Sequence, residues 1–275
     1  MQKRNFVLFI MLLFAFWGCS RQTDDSVKGN LIIIGGGKRP AVVMEKFLEL
    51  AGGQQARIAV IPMASEYYLE SGQDYEKELH GMGVAEVKAF YILDSTQANS
   101  DSVVQALSRY TGFYFGGGDQ NRLTKIFLNT RSMELFHRKY REGAVLGGTS
   151  AGAAIMSKIM ITGDGNWSVI RKDSVIARPG FGFVDRAIID QHFVKRSRFN
   201  RLLALVIQNK VKGVGIDEST ALWVKPGGQV EVMGESCVLL LDPSKAAFPE
   251  QPYHDLLTAK GLQLSVLHAG DYFKL

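Results

Sequence analysis

Two cysteines occur in 275 residues, Cys19 and Cys237. So few rule out a disulfide-stapled scaffold and leave no Cys-x-x-Cys pair for zinc or dithiol chemistry. The five histidines, His80, His137, His192, His254 and His268, are dispersed, and none is spaced His-x-x-x-His. The usual zinc-ligand patterns are therefore missing, and no metal or cofactor is expected. Neither G-x-G-x-x-G nor G-x-x-x-x-G-K-[ST] follows a candidate strand, which sets aside a dinucleotide fold and a P-loop. Charge of one sign is scarce too. Lys and Arg number 32 against 27 Asp and Glu, a formal +5 to which Lys3 and Arg4 contribute two. With no basic run interleaved with aromatics, nucleic acid is not an expected partner.

What is present begins with a leader. Met1 to Asn5 is basic, Phe6 to Gly18 is an apolar run of 13 residues, and Cys19 follows a small residue. The run is short for a bilayer span and fits a secretory signal over residues 1–18. The break at Gly18-Cys19 partly resembles a bacterial lipobox, although Phe16 and Trp17 are bulkier than its usual residues. Cys19 is therefore expected to be acylated, with residues 19–29 as a polar tether. The expected setting is an exported lipoprotein, anchored in the membrane by lipid alone and facing the periplasm or cell surface of a bacterium. Residues 30–275 are long enough to bury a sizeable core and are read as one domain.

From Asn30 short apolar runs alternate with amphipathic stretches. Leu31 to Ile34, Ile58 to Pro62, Val84 to Leu93, Gly112 to Phe115 and Ala144 to Leu146 read as strands. Ala41 to Leu50, Glu66 to His80, Ser102 to Tyr110, Arg122 to Leu128, Met133 to Arg141 and Ala153 to Lys158 read as helices. This alternation predicts an α/β three-layer sandwich on a mostly parallel sheet, with the site at the carboxyl ends of the strands. Three glycine-rich strand ends, at Gly35 to Gly37, Gly116 to Gly118 and Gly147 to Gly148, face that rim. After Ser157 short strands dominate, broken by a helix expected to start near Ser197 as its N-cap.

Gly148-Thr149-Ser150-Ala151-Gly152 has the G-x-S-x-G pattern in the strand-to-helix setting of a nucleophile elbow. Small residues on either side permit a strained turn that lifts the Ser150 hydroxyl out of the sheet edge. The Ala151 amide is then left as an oxyanion donor, and Gly117 is the expected second donor. A serine nucleophile needs a base and an orienting carboxylate. His192 ends an apolar run, follows Asp190 and Gln191, and precedes Arg196, Arg198 and Arg201. Asp217 and Glu218 end another buried strand. Glu218 is the chosen partner of His192, although spacing does not separate it from Asp217. Cys237 sits in an apolar strand and reads as inert core.

The motifs Phe115-Gly116-Gly117-Gly118-Asp119-Gln120, Gly148 to Ala153, Asp190-Gln191-His192-Phe193 with its three arginines, and Gly215-Ile216-Asp217-Glu218 occur in one order. In them the chain resembles cyanophycinases and their relatives in peptidase family S51, which also holds the aspartyl dipeptidase peptidase E. The resemblance implies a class I glutamine-amidotransferase-like, flavodoxin-like fold, with Ser150 as nucleophile, His192 as base and Glu218 as its partner. It also implies substrate contacts at Gln120, Asp190, Gln191, Arg196, Arg198 and Arg201, an Asp- and Arg-containing peptide substrate, and a homodimer. Arginines suit the free carboxylates of such a peptide, while Asp190 and Gln191 offer acceptors to a guanidinium. The alternatives are an aspartyl dipeptidase of the peptidase E kind and a non-catalytic lipoprotein that captures an anionic peptide.

Overall fold

Leu31 and Ile33 of the first strand lie in one hydrophobic core, and Ile32 and Ile34 lie in another. The same split recurs at Ala59 and Ile61 against Ile58 and Val60, and at Phe113 and Phe115 against Tyr114. Side chains alternate across a strand, so continuous apolar runs of this kind bury both faces of a sheet. The computed structural model, which describes residues 27–249 and 255–275, has that arrangement.

The first half runs β1 (Asn30–Ile34), α1 (Ala41–Ala51), β2 (Arg57–Ile61), α2 (Tyr68–Gly81), β3 (Glu86–Ala89), α3 (Ser95–Ala98) and α4 (Asp101–Leu107). It continues through β4 (Gly112–Phe115), α5 (Gln120–Phe127), α6 (Arg131–Glu142), β5 (Val145–Thr149) and α7 (Ala151–Ala154). The second half is β6 (Ile159–Gly165), β7 (Val175–Pro179), β8 (Ala187–Gln191), α8 (Phe199–Asn209), β9 (Lys212–Ile216), β10 (Thr220–Val224), β11 (Gln229–Gly234), β12 (Val238–Asp242), β13 (Gln263–Leu267) and β14 (Tyr272–Lys274).

An eight-stranded sheet has the order β14-β11-β10-β1-β5-β4-β2-β3, and its β1-β5-β4-β2-β3 part is parallel. A four-stranded sheet, β13-β12-β9-β8, stands apart, with β8 and β9 parallel, and β6 pairs with β7. Local chemistry sets most boundaries. Ser100, Asp119 and Thr130 each accept an amide hydrogen bond at the start of α4, α5 and α6, and Gly52 and Gly143 close α1 and α6 in the left-handed conformation.

Three expectations are corrected. Ala153 to Lys158 is not a helix: α7 is a single turn, and the wholly buried Ser157 hydroxyl accepts the Ile189 amide at 2.7 Å. That bond turns the chain away into a bridge between Ser157 and Val184. The strand expected over Val84 to Leu93 is confined to Glu86–Ala89, the segment that pairs with β2. Ser197 is not the cap of α8. It has a φ of 52°, and Arg198 occupies the cap position without a side-chain hydrogen bond. The leader, Cys19 and most of the tether lie outside the described residues.

Candidate active site

Ser150 follows β5 directly and has φ 54° and ψ −107°, a sparsely populated conformation for a residue with a Cβ. The turn is held from both sides by close backbone packing. A Cβ on Gly148 would lie 2.2 Å from the Gly152 carbonyl oxygen, and one on Gly152 would lie 2.1 Å from that of Phe115. The Ser150 amide donates to Ile34 O at 3.1 Å, and its carbonyl accepts from Ala153 and Ala154. The Ala151 amide makes no hydrogen bond among the described residues.

His192 comes from the other sheet, one residue beyond β8. Its backbone is fixed by the Gly35 carbonyl at 2.7 Å, and Phe193 behind it packs where a Cβ on Gly215 would be 2.3 Å from the ring. The imidazole lies over Gly36, and Glu218 packs against Gly37. Ser150 Oγ is 2.9 Å from His192 Nε2, and Glu218 Oε1 is 2.6 Å from Nδ1. A carboxylate only accepts, so Nδ1 carries the proton and Nε2 presents its lone pair to the serine hydroxyl. Burial, with help from the charges of Arg196 and Arg198, lowers the His192 pKa below its usual 6.5 against the opposing pull of Glu218. At neutral pH the ring is therefore unprotonated, as a general base requires.

The geometry separates the two acids that spacing left together. Asp217 Oδ1 accepts the amides of Val194 and Lys195 at 3.1 and 3.0 Å, and Oδ2 accepts from Ser236 Oγ at 2.9 Å. Asp217 thus fastens the turn that follows His192, while Glu218 faces the imidazole.

The expected substrate contacts divide in the same way. Arg201 and Asp190, each about 1% exposed, form a two-pronged ion pair at 2.7 and 2.5 Å. Asp190 also accepts the Gln191 amide, so both residues are engaged with each other inside the protein, beside the residues expected to meet substrate. Gln120 likewise spends its amide nitrogen on Ile161 O and Thr162 O, at 2.7 and 2.8 Å. Arg198 donates to Gln191 O at 2.7 Å. Its pKa falls to about 10, through burial first and the neighbouring Arg201 second. Arg196 is exposed and makes no ion pair among the described residues. Gln191 keeps a buried Oε1 with no hydrogen-bond partner among them. Arg196 and part of Arg198 therefore remain open to a ligand, while the Gln191 Oε1, unpartnered among the described residues, is buried.

Asp190→Ala leaves the Arg201 guanidinium buried without a counter-charge. The expected loss of unfolding free energy is about 3–5 kcal/mol, measured by urea denaturation. A loss below about 1 kcal/mol would show that Arg201 finds water or another acceptor instead.

Gly117 is engaged differently from the expectation. Its amide points to the Tyr75 hydroxyl at 3.4 Å, whereas the amide of Gly118 makes no hydrogen bond among the described residues. Sequence reasoning missed Tyr75, and it placed Gly35 to Gly37 on the rim of the site without finding that they make room for His192 and Glu218.

The chain is similar to known proteins over most of its length. The model of Peptidase family S51 matches residues 31–232. A cyanophycinase of Nostoc sp. is 32% identical over 262 residues, covering 92% of this chain and 88% of its own. One of Synechococcus elongatus is 33% identical over 256 residues, covering 90% and 80%. The crystal structure of a peptidase from an acI-B1 Actinobacterium superposes with a TM-score of 0.70 at 22% identity, over 91% of this chain and 98% of that one. The three-layer architecture on a mostly parallel sheet is thus the class I glutamine-amidotransferase-like fold that the resemblance implied. With a family match over most of its folded length and relatives of this identity over most of both chains, the chain belongs to peptidase family S51 and is a hydrolase of the serine peptidase type.

Proposed function

We propose that this protein is an exopeptidase that hydrolyses cyanophycin, an aspartate backbone bearing arginine on each β-carboxyl, or related β-aspartyl peptides, through an acyl-enzyme on Ser150. The observation that carries the reading is the unbroken hydrogen-bonded chain from Ser150 through His192 to Glu218. Ser150 Oγ attacks the carbonyl carbon while His192 Nε2 takes its proton, and Glu218 holds Nδ1–H and stabilises the imidazolium. The tetrahedral oxyanion receives the Ala151 amide and one from the 116–118 loop. As the C–N bond breaks, His192 returns the proton to the leaving amine. Water, activated by the same histidine, then attacks the acyl ester and restores Ser150. Arg196 and Arg198 supply positive charge for substrate carboxylates, and the orphaned Gln191 Oε1 supplies an acceptor. Export and acylation at Cys19 belong to the same proposal on sequence grounds, and a homodimer belongs to it through the family resemblance alone.

The test is incubation of protein starting at Ser20 with insoluble cyanophycin, assayed for β-aspartyl-arginine, with intact mass recorded and Ser150→Ala in parallel. Dipeptide from the wild type alone is the expected result. Release from short aspartyl peptides only would move the substrate to the peptidase E kind. Tight binding without turnover or any covalent adduct would replace the enzyme by a peptide-capturing lipoprotein.

A further inference from the structure

The catalytic chain leaves a second polar cluster unused. It belongs to α2, a helix whose sequence is mostly polar, and it lies against the loop between β4 and α5. Tyr75 and Glu78 stand three residues apart and so share a face of α2. The tip of the Tyr75 ring covers Gly116, where a Cβ would lie 3.1 Å from Cε2, and Oη accepts the Gly117 amide at 3.4 Å. The ring is itself held in place. Tyr114 packs on it with centroids 5.3 Å apart, and the Arg39 guanidinium lies 4.9 Å from its centroid. Arg39 in turn grips Glu78 with both Nε, at 3.1 Å, and Nη2. Burial raises the pKa of the phenol above its ordinary value, which keeps it protonated.

These contacts join the two loops that shape the site. Arg39 follows two residues after the Gly35 to Gly37 loop, against which His192 packs, and Tyr75 holds the Gly116 to Gly118 loop. Gly117 itself adjoins the nucleophile, since a Cβ on it would be 3.5 Å from Ser150 Cβ. Two peptide N–H groups flank its Cα. One goes to Tyr75, and the other, that of Gly118, makes no hydrogen bond among the described residues.

We propose that Tyr75 is a positioning residue of the oxyanion site: held by Arg39 and Glu78, it takes the Gly117 amide and fixes the loop so that Gly118, with Ala151, supplies the second donor. This inference rests on the serine-hydrolase reading of Ser150. A phenol in this place does what a rigid support does for any hydrogen-bond donor. It removes the alternative orientations of a three-glycine loop, so that little reorganisation remains when charge develops on the substrate oxygen.

The test compares wild type, Tyr75→Phe, Arg39→Ala and Arg39→Lys by the rate of Ser150 labelling with a fluorophosphonate and by kcat and KM on cyanophycin. The phosphonyl oxygen of the probe occupies the same oxyanion position whatever the natural peptide is. Tyr75→Phe keeps the ring and its packing, so its melting temperature should stay near that of the wild type. Its labelling rate and kcat should each fall about tenfold or more, below the full loss of an oxyanion donor, while KM moves less than about twofold. Arg39→Ala should follow it, and Arg39→Lys should recover part of the rate by keeping a cation on the ring. Wild-type labelling by Tyr75→Phe, or a rate loss matched by a rise in KM or a fall in melting temperature, overturns the inference while leaving the peptidase reading intact. Labelled Ser150 without peptide hydrolysis removes the proposed substrate, and the labelling rates still decide Tyr75. Absence of labelling in folded wild type overturns both.

Discussion

Glu218→Gln is expected to lower kcat by about ten-thousand-fold with little change in KM, because the amide no longer enforces the tautomer with the proton on Nδ1. Glutamine matches glutamate in shape, and Glu218 is partly exposed at the end of β9, so folding is preserved. A second signature separates lost orientation from lost charge. Glu218 raises the His192 pKa against burial and the two arginines. Without its charge that pKa falls further, and the acid limb of the kcat/KM profile moves to lower pH. In the wild type the limb is expected on the acid side of an ordinary imidazole, since burial lowers the His192 pKa, with activity lost as pH falls and the ring is protonated. Asp217→Asn provides the comparison. Asp217 holds the Val194 and Lys195 amides and never meets the imidazole, so its loss loosens a turn without shifting the acid limb. A larger kcat loss for Asp217→Asn than for Glu218→Gln would reverse their assignments.

Gly36→Ala is expected to reduce kcat/KM at least about a hundredfold, the scale of an ångström's misplacement of a reacting group. A methyl there would stand 2.3 Å from His192 Cε1 and 2.4 Å from Nε2, the atom that bonds to Ser150. The ring has no retreat that keeps both hydrogen bonds, since Glu218 fixes it at Nδ1. Gly36 also has φ +108°, so alanine adds backbone strain of about 1–2 kcal/mol. Gly53→Ala separates the two effects. Gly53 has φ +58° and nothing within 4 Å of a new Cβ, so this variant carries strain alone. Comparable melting temperatures with activity lost only in Gly36→Ala is the expected pattern. Full activity in Gly36→Ala would mean that His192 is not confined by this loop.

The strand-to-helix turn that carries Ser150 was legible because its constraints are local. A buried strand, two glycines, a serine and a short helical turn must be consecutive in the chain, and they are. The two-sided apolar strands announced the layered sheet in the same way. The choice between Asp217 and Glu218 was not legible, since neighbouring residues at a strand end diverge and only the tertiary partner of each reveals its use. The ion pair inside the arginine cluster was hidden for a related reason. Asp190 and Arg201 are 11 residues apart, and nothing in that spacing says that one neutralises the other inside the protein rather than meeting a ligand. Ser197 looked like a helix cap by residue type, yet its positive φ belongs to a turn that Asp217 fastens from another strand. Tyr75 and Glu78 carried only the weak signal of a three-residue spacing on a polar helix, and Arg39 completes their cluster from across the fold.

The triad is drawn from two sheets: Ser150 ends β5 in the large one, while His192 and Glu218 follow β8 and β9 in the small one. As the polypeptide is synthesised, the serine emerges well before either of its partners. On the proposed mechanism, a nascent chain that has folded only its first half would carry an elbow with no base to activate it. Under that mechanism, competence to cut would arrive late, with the docking of the smaller sheet, and the appearance of activity would serve as a clock for the last stage of maturation.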